Sequence, residues 1–296
     1  MDVVVVGSVN VDIIANAARR PGPGETIFGS DFVTAPGGKG ANQAAAVASL
    51  GGDVALIGRI GDDDRGDVVR KNLEVAGVDT RLLKTTHGIA TGSALVMVTP
   101  DGENAIIVSS GANAFFSELD IDAAASTLQA ASVVLAQLEV SMATVARACT
   151  CSAMASGRVI LNASPYVPLS SAMLEMLDPL VVNEHEAASF LARPVETSTA
   201  TGAVQGLLEC GVRSAVITLG ADGAFGAVRG KRPFHVPAPS VPVVDTTGAG
   251  DAFAGALALT LARGATLETA VRAGVAAGSQ AVQRLGAQGL KTLPHR

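Results

Sequence analysis

Four consecutive valines, Val3–Val6, end abruptly at Gly7. A strand with one wet face alternates apolar and polar residues, so an unbroken β-branched run predicts a strand covered on both faces. Similar runs recur at Val54–Ile57, Val133–Leu135, Val159–Leu161, Leu180–Val182 and Ala215–Leu219. Alanine-rich stretches with helical spacing lie between most of them, at Ala41–Leu50, Ala143–Met154 and Glu186–Leu191. Strand and helix alternating at this rhythm predict an α/β fold, a mostly parallel sheet sandwiched by helices. Right-handed crossovers then bring the loops at the carboxyl ends of the strands to one edge, where ligands bind. Aromatic residues make up only 3% of the chain and Trp is absent, so the helices are expected to pack through small side chains.

Two segments break the rhythm. Pro21–Val33 alternates turn residues with short strand-like pieces, and Thr91–Val98 with Asn104–Ser109 reads as a hairpin around Pro100-Asp101-Gly102. Neither is expected to run on into a helix. Together they predict a small antiparallel β lid, about residues 15–36 and 90–110, projecting from the main sheet as a cover or a dimer surface. The chain shows no internal repeat, linker or low-complexity tract, and residues 1–296 are read as a single α/β domain.

A net charge of −6 argues against nucleic acid or an anionic membrane as partner. No uncharged apolar run approaches the length of a membrane span, and Asp2 and Asn10 flank too few valines for a leader sequence. Cys149, Cys151 and Cys210 are an odd set without a nearby histidine, which predicts reduced thiols in a cytoplasmic protein rather than disulfides or zinc.

Near the C-terminus, Val243-Val244 passes through Asp245-Thr246-Thr247 into Gly248-Ala249-Gly250-Asp251 and then an apolar helix carrying Phe253, Leu257 and Leu261. Glycines leave backbone N–H groups uncrowded at a helix N-terminus, where the dipole favours an anion. Asp251 then falls in the first turn, beside that anion. Taken alone, such a carboxylate more simply complements the dipole. The Walker pattern is absent, and the dinucleotide pattern would need glycine where Phe253 stands. What remains is an anion hole with an adjacent carboxylate, which suits phosphoryl transfer.

Asp245-Thr246-Thr247-Gly248-Ala249-Gly250-Asp251 resembles the second diagnostic motif of the ribokinase-like carbohydrate kinases. Gly37-Gly38-Lys39-Gly40-Ala41-Asn42-Gln43 resembles their first. The likeness continues in the same order through Gly7-Ser8-Val9-Asn10-Val11-Asp12, Gln137-Leu138-Glu139, Asn183-Glu184-His185-Glu186, Thr218-Leu219-Gly220 and Gly286-Ala287-Gln288. It implies an enzyme that uses ATP and Mg²⁺ to phosphorylate a small sugar, D-ribose at its 5-hydroxyl, and that forms a homodimer through the lid. Asp251 is then the general base, with the N–H groups of Gly248, Ala249, Gly250 and Asp251 as the anion hole. Asn10, Asp12, Gly38, Lys39, Asn42, Glu139 and Asp251 would hold the sugar, and Asn183, Thr218, Gly220 and Gly250 the nucleotide. Glu186 would organise Mg²⁺ through water. The resemblance also implies potassium, held by Asp245, Thr247, Ala281, Arg284 and Gly286. Relatives commonly place Pro-Ser where this chain has Gly289-Leu290, which would remove one side-chain ligand.

Each of these residues has a plainer reading when taken alone. Asn10 and Asp12 are common in turns after a strand, and the glycines near Gly38 suit any helix start. Glu186 suits helix capping. Glu139 ends an apolar strand, where a carboxylate is costly unless solvated or paired. Other acceptors considered are 2-deoxyribose, fructose or a nucleoside; a catalytically idle sugar sensor is the reading from a different class. An oxidoreductase of similar sheet architecture would need the missing dinucleotide fingerprint.

Overall fold

The computed structural model describes residues 1–100, 104–155, 157–284 and 286–288. Nine strands form the main sheet: β1 (Val3–Val6), β4 (Val54–Gly61), β5 (Leu83–Thr86), β8 (Val133–Gln137), β9 (Arg158–Asn162), β10 (Leu177–Asn183), β11 (Ser214–Thr218), β12 (Ala224–Val228) and β13 (Phe234–Val236). A second sheet holds β2 (Asn10–Asn16), β3 (Val33–Gly37), β6 (Gly92–Val98) and β7 (Asn104–Ser109).

The main sheet runs β13-β12-β11-β10-β9-β8-β1-β4-β5, parallel from β5 to β11 and antiparallel at β12 and β13. Its valines show why the run is continuous. Val3 and Val5 pack with Leu257 and Val271 on one face, while Val4 and Val6 pack with Leu128 and Val145 on the other. All four are fully buried, so alternation would have placed polar groups in a core. Each apolar run of the sequence lies within one of these strands or overlaps it, and the strands extend it by up to a few residues.

The strand order reverses at β1, with β8 on one side and β4 on the other. Loops leaving neighbouring strands diverge at such a point and open a crevice beyond the carboxyl ends. The fold therefore offers a ligand site beside Gly7-Ser8 and Leu138-Glu139.

The small sheet is ordered β3-β2-β6-β7. Its outer pairings are antiparallel, and the central β2–β6 pairing is parallel, with Asn10 opposite Gly92. Its strands differ from the expected segments. Between Pro21 and Phe32 there is no strand, only a bridge from Gly29 to Ala17. Pro21 and Pro23 lack the N–H a ladder needs, and Glu25 instead ties the segment to Arg19 through its carboxylate. The sheet instead takes Asn10–Asn16, most of which lies before the segment expected for the lid, as one of its two inner strands. A helix does follow: β3 runs through Gly38 directly into the Lys39–Ser49 helix. Pro36 is tolerated in β3 because that strand is an edge. The turn residues Asp101 and Gly102 lie outside the described residues.

Candidate active site

The helix Ala249–Ala262 begins at Gly248, whose φ of 77° is left-handed. A side chain there would also collide with Ala287, 2.5 Å from where Cβ would stand. Glycine is therefore required twice over. Ala249, Gly250 and Asp251 form the first turn at the positive end of a 14-residue helix. Ala249 donates its N–H to the carbonyl of Thr246 at 3.2 Å, and the N–H groups of Gly250 and Asp251 face the helix entry. Gly250 is exposed, and a Cβ added to it would meet nothing within 4 Å.

Asp251 is 7% exposed. Burial pushes its carboxyl above the ordinary range, and Glu139 adds to that. Lys39 and the amides of Asn42 and Gln43 oppose the rise. Asn42 donates through Nδ2 to Oδ2 at 3.0 Å, and Gln43 through Nε2 to Oδ1 at 2.9 Å. Asn42 and Gln43 are the fourth and fifth residues of the Lys39–Ser49 helix, so the start of that helix supplies both donors to the carboxylate. Each oxygen keeps a lone pair for a further proton.

That second helix starts at Gly38, at φ 87° and ψ 128°. A Cβ on Gly38 would lie 2.7 Å from the backbone nitrogen of Asn10, so glycine lets this loop pack against β2. Lys39 donates its backbone N–H to Glu139 at 3.0 Å, and Ser8 donates its hydroxyl to the same oxygen at 2.5 Å. Asp12 lies close enough to Glu139 and Asp251 to feel both. Its carboxyl is pushed up to about 6, chiefly by burial and then by these two charges. Asn10 is buried, and its Oδ1 accepts from Asn113 at 2.8 Å. The seven residues expected to hold a sugar thus gather at the β1–β8 crevice.

The residues expected to hold the nucleotide lie further along the same edge. Asn183 and Thr218 are register partners at the carboxyl ends of β10 and β11. Gly220 follows in an exposed single turn, and Gly223 pairs back to Leu219. With strands about 4.8 Å apart, β11 is roughly 14 Å from β8. Asn183 and Glu186 cap the Glu184–Leu191 helix reciprocally, at 2.8 and 2.9 Å. This is the plain capping role, and it leaves Glu186 one oxygen uncommitted. Among the described residues no group of three or more His, Cys, Asp or Glu could cage a metal. Such a donor set fits an Mg²⁺ held through water and phosphate oxygens rather than by protein alone.

Asp245 joins two separate loops. One of its oxygens accepts from Thr247 N at 2.9 Å and the other from Gly286 N at 2.9 Å. Burial raises its carboxyl, but these bonds outweigh it and leave it below the usual range. Arg284 closes a turn back onto the carbonyl of Ala281 at 3.0 Å. Of the five residues expected around a monovalent cation, Asp245, Thr247, Arg284 and Gly286 lie in the two loops that Asp245 ties together, and Ala281 ends the Leu267–Ala281 helix that leads into the second. Gly289 and Leu290 lie outside the described residues.

Four amides were not assigned a role from the sequence. Gln43 touches Asp251, Gln137 donates to Gln43 at 2.6 Å, Gln288 donates to Asn42 Oδ1 at 2.9 Å, and Asn113 positions Asn10. A polar residue within an otherwise apolar strand or helix face was the available signal, since such a group must find a partner.

The family model for pfkB carbohydrate kinases matches residues 1–294. A ribokinase from Mus musculus is 38% identical over 263 residues, which is 88% of this chain and 81% of that protein. A deoxyribokinase from Salmonella typhi is 34% identical over 290 residues, 97% of this chain and 94% of that one. The structure of Arabidopsis thaliana ribokinase complexed with ribose and ATP matches with a TM-score of 0.90 at 33% identity, covering 97% of this chain and 94% of the other.

Proposed function

This chain belongs to the pfkB family of carbohydrate kinases, and from that premise we propose that it transfers the γ-phosphoryl of ATP to the 5-hydroxyl of D-ribose. The observation that carries the reading is the place of Asp251. It is a buried carboxylate at a glycine-entered helix start, within electrostatic reach of Asp12, Glu139 and Lys39. Similarity to ribokinases, one of them complexed with ribose and ATP, supports the choice of sugar and nucleotide.

Asp12 and Glu139 accept hydroxyl hydrogen bonds from the sugar, Lys39 balances their charge, and Asn10 and Asn42 add amide contacts. ATP lies along the carboxyl edge toward Asn183, Thr218 and Gly220. Asp251 takes the proton of the primary hydroxyl as that oxygen bonds to the γ-phosphorus and the bond to ADP breaks. The N–H groups of the Gly248–Asp251 turn meet the charge on the phosphoryl oxygens. Glu186 would organise Mg²⁺ through water, and the ion would supply neutralisation of phosphate charge when bound. A monovalent cation would sit among Asp245, Thr247, Ala281, Arg284 and Gly286 and steady the loop that starts the anion hole. The small sheet closes over the sugar and excludes water, which would otherwise compete as acceptor.

Product analysis tests the position of transfer: phosphorus–proton coupling to the C5 protons is expected, and phosphate on another oxygen would reject the reading. The likeness to a deoxyribokinase favours 2-deoxyribose as the second reading. A site that hydrogen-bonds the 2-hydroxyl should favour ribose by orders of magnitude in kcat/KM. A preference for the deoxy sugar would hand the assignment to the second reading.

Asp12 makes the reaction pH-dependent. Its carboxyl is raised, so it is protonated below about 6 and then cannot accept two hydroxyl bonds. The sugar kcat/KM should fall as pH drops through about 6, since that ratio reports the free enzyme. Asp12→Asn should lower kcat/KM at neutral pH and remove the limb due to Asp12, leaving only the one that Asp251 contributes. A variant profile that keeps the same limb would assign it elsewhere.

The small sheet also presents a candidate dimer face. Ile106, Ile107 and Val108 are 53%, 70% and 60% exposed on the edge strand β7. Neighbouring residues on a strand point to opposite faces, so neither face is covered here. Light scattering should show a dimer, and Ile107→Glu should shift it to monomer. Monomer alone in the unaltered protein would discard the dimer.

A further inference from the structure

We propose that two buried glutamines, Gln43 and Gln137, act as positioning residues that fix the orientation of Asp251; this rests on Asp251 being the base. Both side chains are completely buried. Gln43 Nε2 donates to Asp251 Oδ1 at 2.9 Å and to Asn162 Oδ1 at 3.0 Å. Its own oxygen accepts from Gln137 Nε2 at 2.6 Å. Asn162 in turn donates to the carbonyl of Val181 at 3.4 Å.

The chain of amides has only one consistent direction. An ionised carboxylate and a backbone carbonyl can only accept. Asp251 therefore fixes the nitrogen of Gln43 toward itself, and the Val181 carbonyl fixes the nitrogen of Asn162 away from Gln43. Both hydrogens of Gln43 are then used, and its oxygen needs a donor, which Gln137 supplies. A flipped amide at either glutamine would set oxygen against oxygen.

Gln137 shows that this arrangement serves orientation rather than packing. Its Oε1 is buried with no hydrogen-bond partner among the described residues, pressed against Gly7 so closely that a Cβ there would overlap it. It ends β8 after Val133-Val134-Leu135-Ala136, where Leu or Met would bury no unpaired oxygen. Orphaned buried acceptors are costly and rare. A site that tolerates one gains something else, and here it gains a donor aimed at Gln43.

The consequence for Asp251 has a sign. Gln43 and Asn42 donate to the ionised form, so losing Gln43 should raise the pH at which Asp251 takes a proton. The charged groups facing Asp251 are Lys39 at its helix start, Glu139 beyond β8 and Asp12 on β2. All three stay in every variant, which isolates the contribution of the amides.

The test uses the whole chain with Gln43→Met, Gln137→Met and Gln137→Glu. The methionines keep volume and remove the amides. Glutamate keeps shape but donates to Gln43 only while protonated, and it guards against an apolar variant that fails to fold. Carboxyl-carbon NMR against pH reads Asp251 without turnover, its signal assigned by loss in Asp251→Asn. The Asp251 titration should move to higher pH in Gln43→Met, and less far in Gln137→Met. In turnover, kcat should fall roughly tenfold or more in Gln43→Met with sugar KM within about twofold. The acid limb of kcat should move up in step. Gln137→Glu should lose kcat as its own carboxyl ionises, a limb the unaltered enzyme lacks. Folded variants with an unchanged Asp251 titration and an unchanged kcat profile would overturn the proposal. Should the unaltered protein phosphorylate no sugar, the kinase reading fails, while the NMR titration still decides whether these glutamines control Asp251.

Discussion

Asp251→Asn is expected to cut turnover by 10²–10⁴-fold, the range a positioned general base contributes, while sugar affinity stays near normal. The reason lies in what the substitution leaves intact. Lys39, Glu139, Asp12 and Asn10 still line the crevice at the β1–β8 reversal, where the proposed sugar site lies. Asparagine fills the same volume and keeps one oxygen for Asn42 or Gln43, but it cannot take the hydroxyl proton. One of the two amides must then face another donor, so a modest loss of melting temperature should accompany the kinetic effect. The loss should appear in kcat and kcat/KM together, since the proton passes to Asp251 only in the transition state. A variant with near-normal turnover would remove Asp251 from the role of base.

Gly250 offers the cleanest test of the anion hole, because a side chain there disturbs nothing in the protein itself. A Cβ would meet no atom within 4 Å, and its φ is not left-handed. Gly250→Ala should therefore fold normally, and alanine should even gain slightly over glycine in a helix. Gly250 lies in the turn whose N–H groups would hold the γ-phosphoryl. Crowding it should cost turnover by about 10²-fold or more, comparable to losing one oxyanion donor. Gly250→Val should cost more. Unchanged melting with lost turnover is the expected pair, and full activity in Gly250→Val would place the phosphoryl elsewhere. Gly248 cannot serve in this way, because Ala287 and its positive φ make any substitution there a folding defect as well.

Much of this could be read from the sequence because it rests on local rules. Val3–Val6 and its counterparts announced a sheet covered on both faces, and Gly248-Ala249-Gly250-Asp251 announced a helix start with a carboxylate beside it. The small sheet was harder. β2 consists of Asn10-Val11-Asp12-Ile13-Ile14-Ala15-Asn16, and its Asn and Asp are poor strand formers by propensity. Its neighbour β6 is remote in sequence, so no hairpin signal marks the pairing. Pro21–Val33 has the turn residues of a connection, and the structure makes it one. Glu186 shows another limit: the residue spacing of a capping box and of a magnesium-organising motif is the same, and the geometry supplies the cap. Gln43 and Gln137 passed without a role because an amide neither titrates nor carries charge. Only their burial beside Asp251 reveals them.

Asp12 and Asp251 also show how burial and charge divide labour among three carboxylates in one crevice. Asp12 and Asp251 are raised chiefly by loss of water, and both are raised further by acidic neighbours. Lys39 and two amides restrain Asp251. A sugar in the proposed site would bring hydroxyl donors that relieve the same repulsion, so binding and charge balance would reinforce one another.

The most direct test of the account is ADP release with magnesium and ATP, measured with ribose, 2-deoxyribose, fructose, adenosine and no sugar, each with and without potassium. Strong release that depends on ribose, and that rises with potassium, is the predicted result. ADP release that is the same with every sugar as with none would contradict the account and favour a sugar sensor built on a kinase fold.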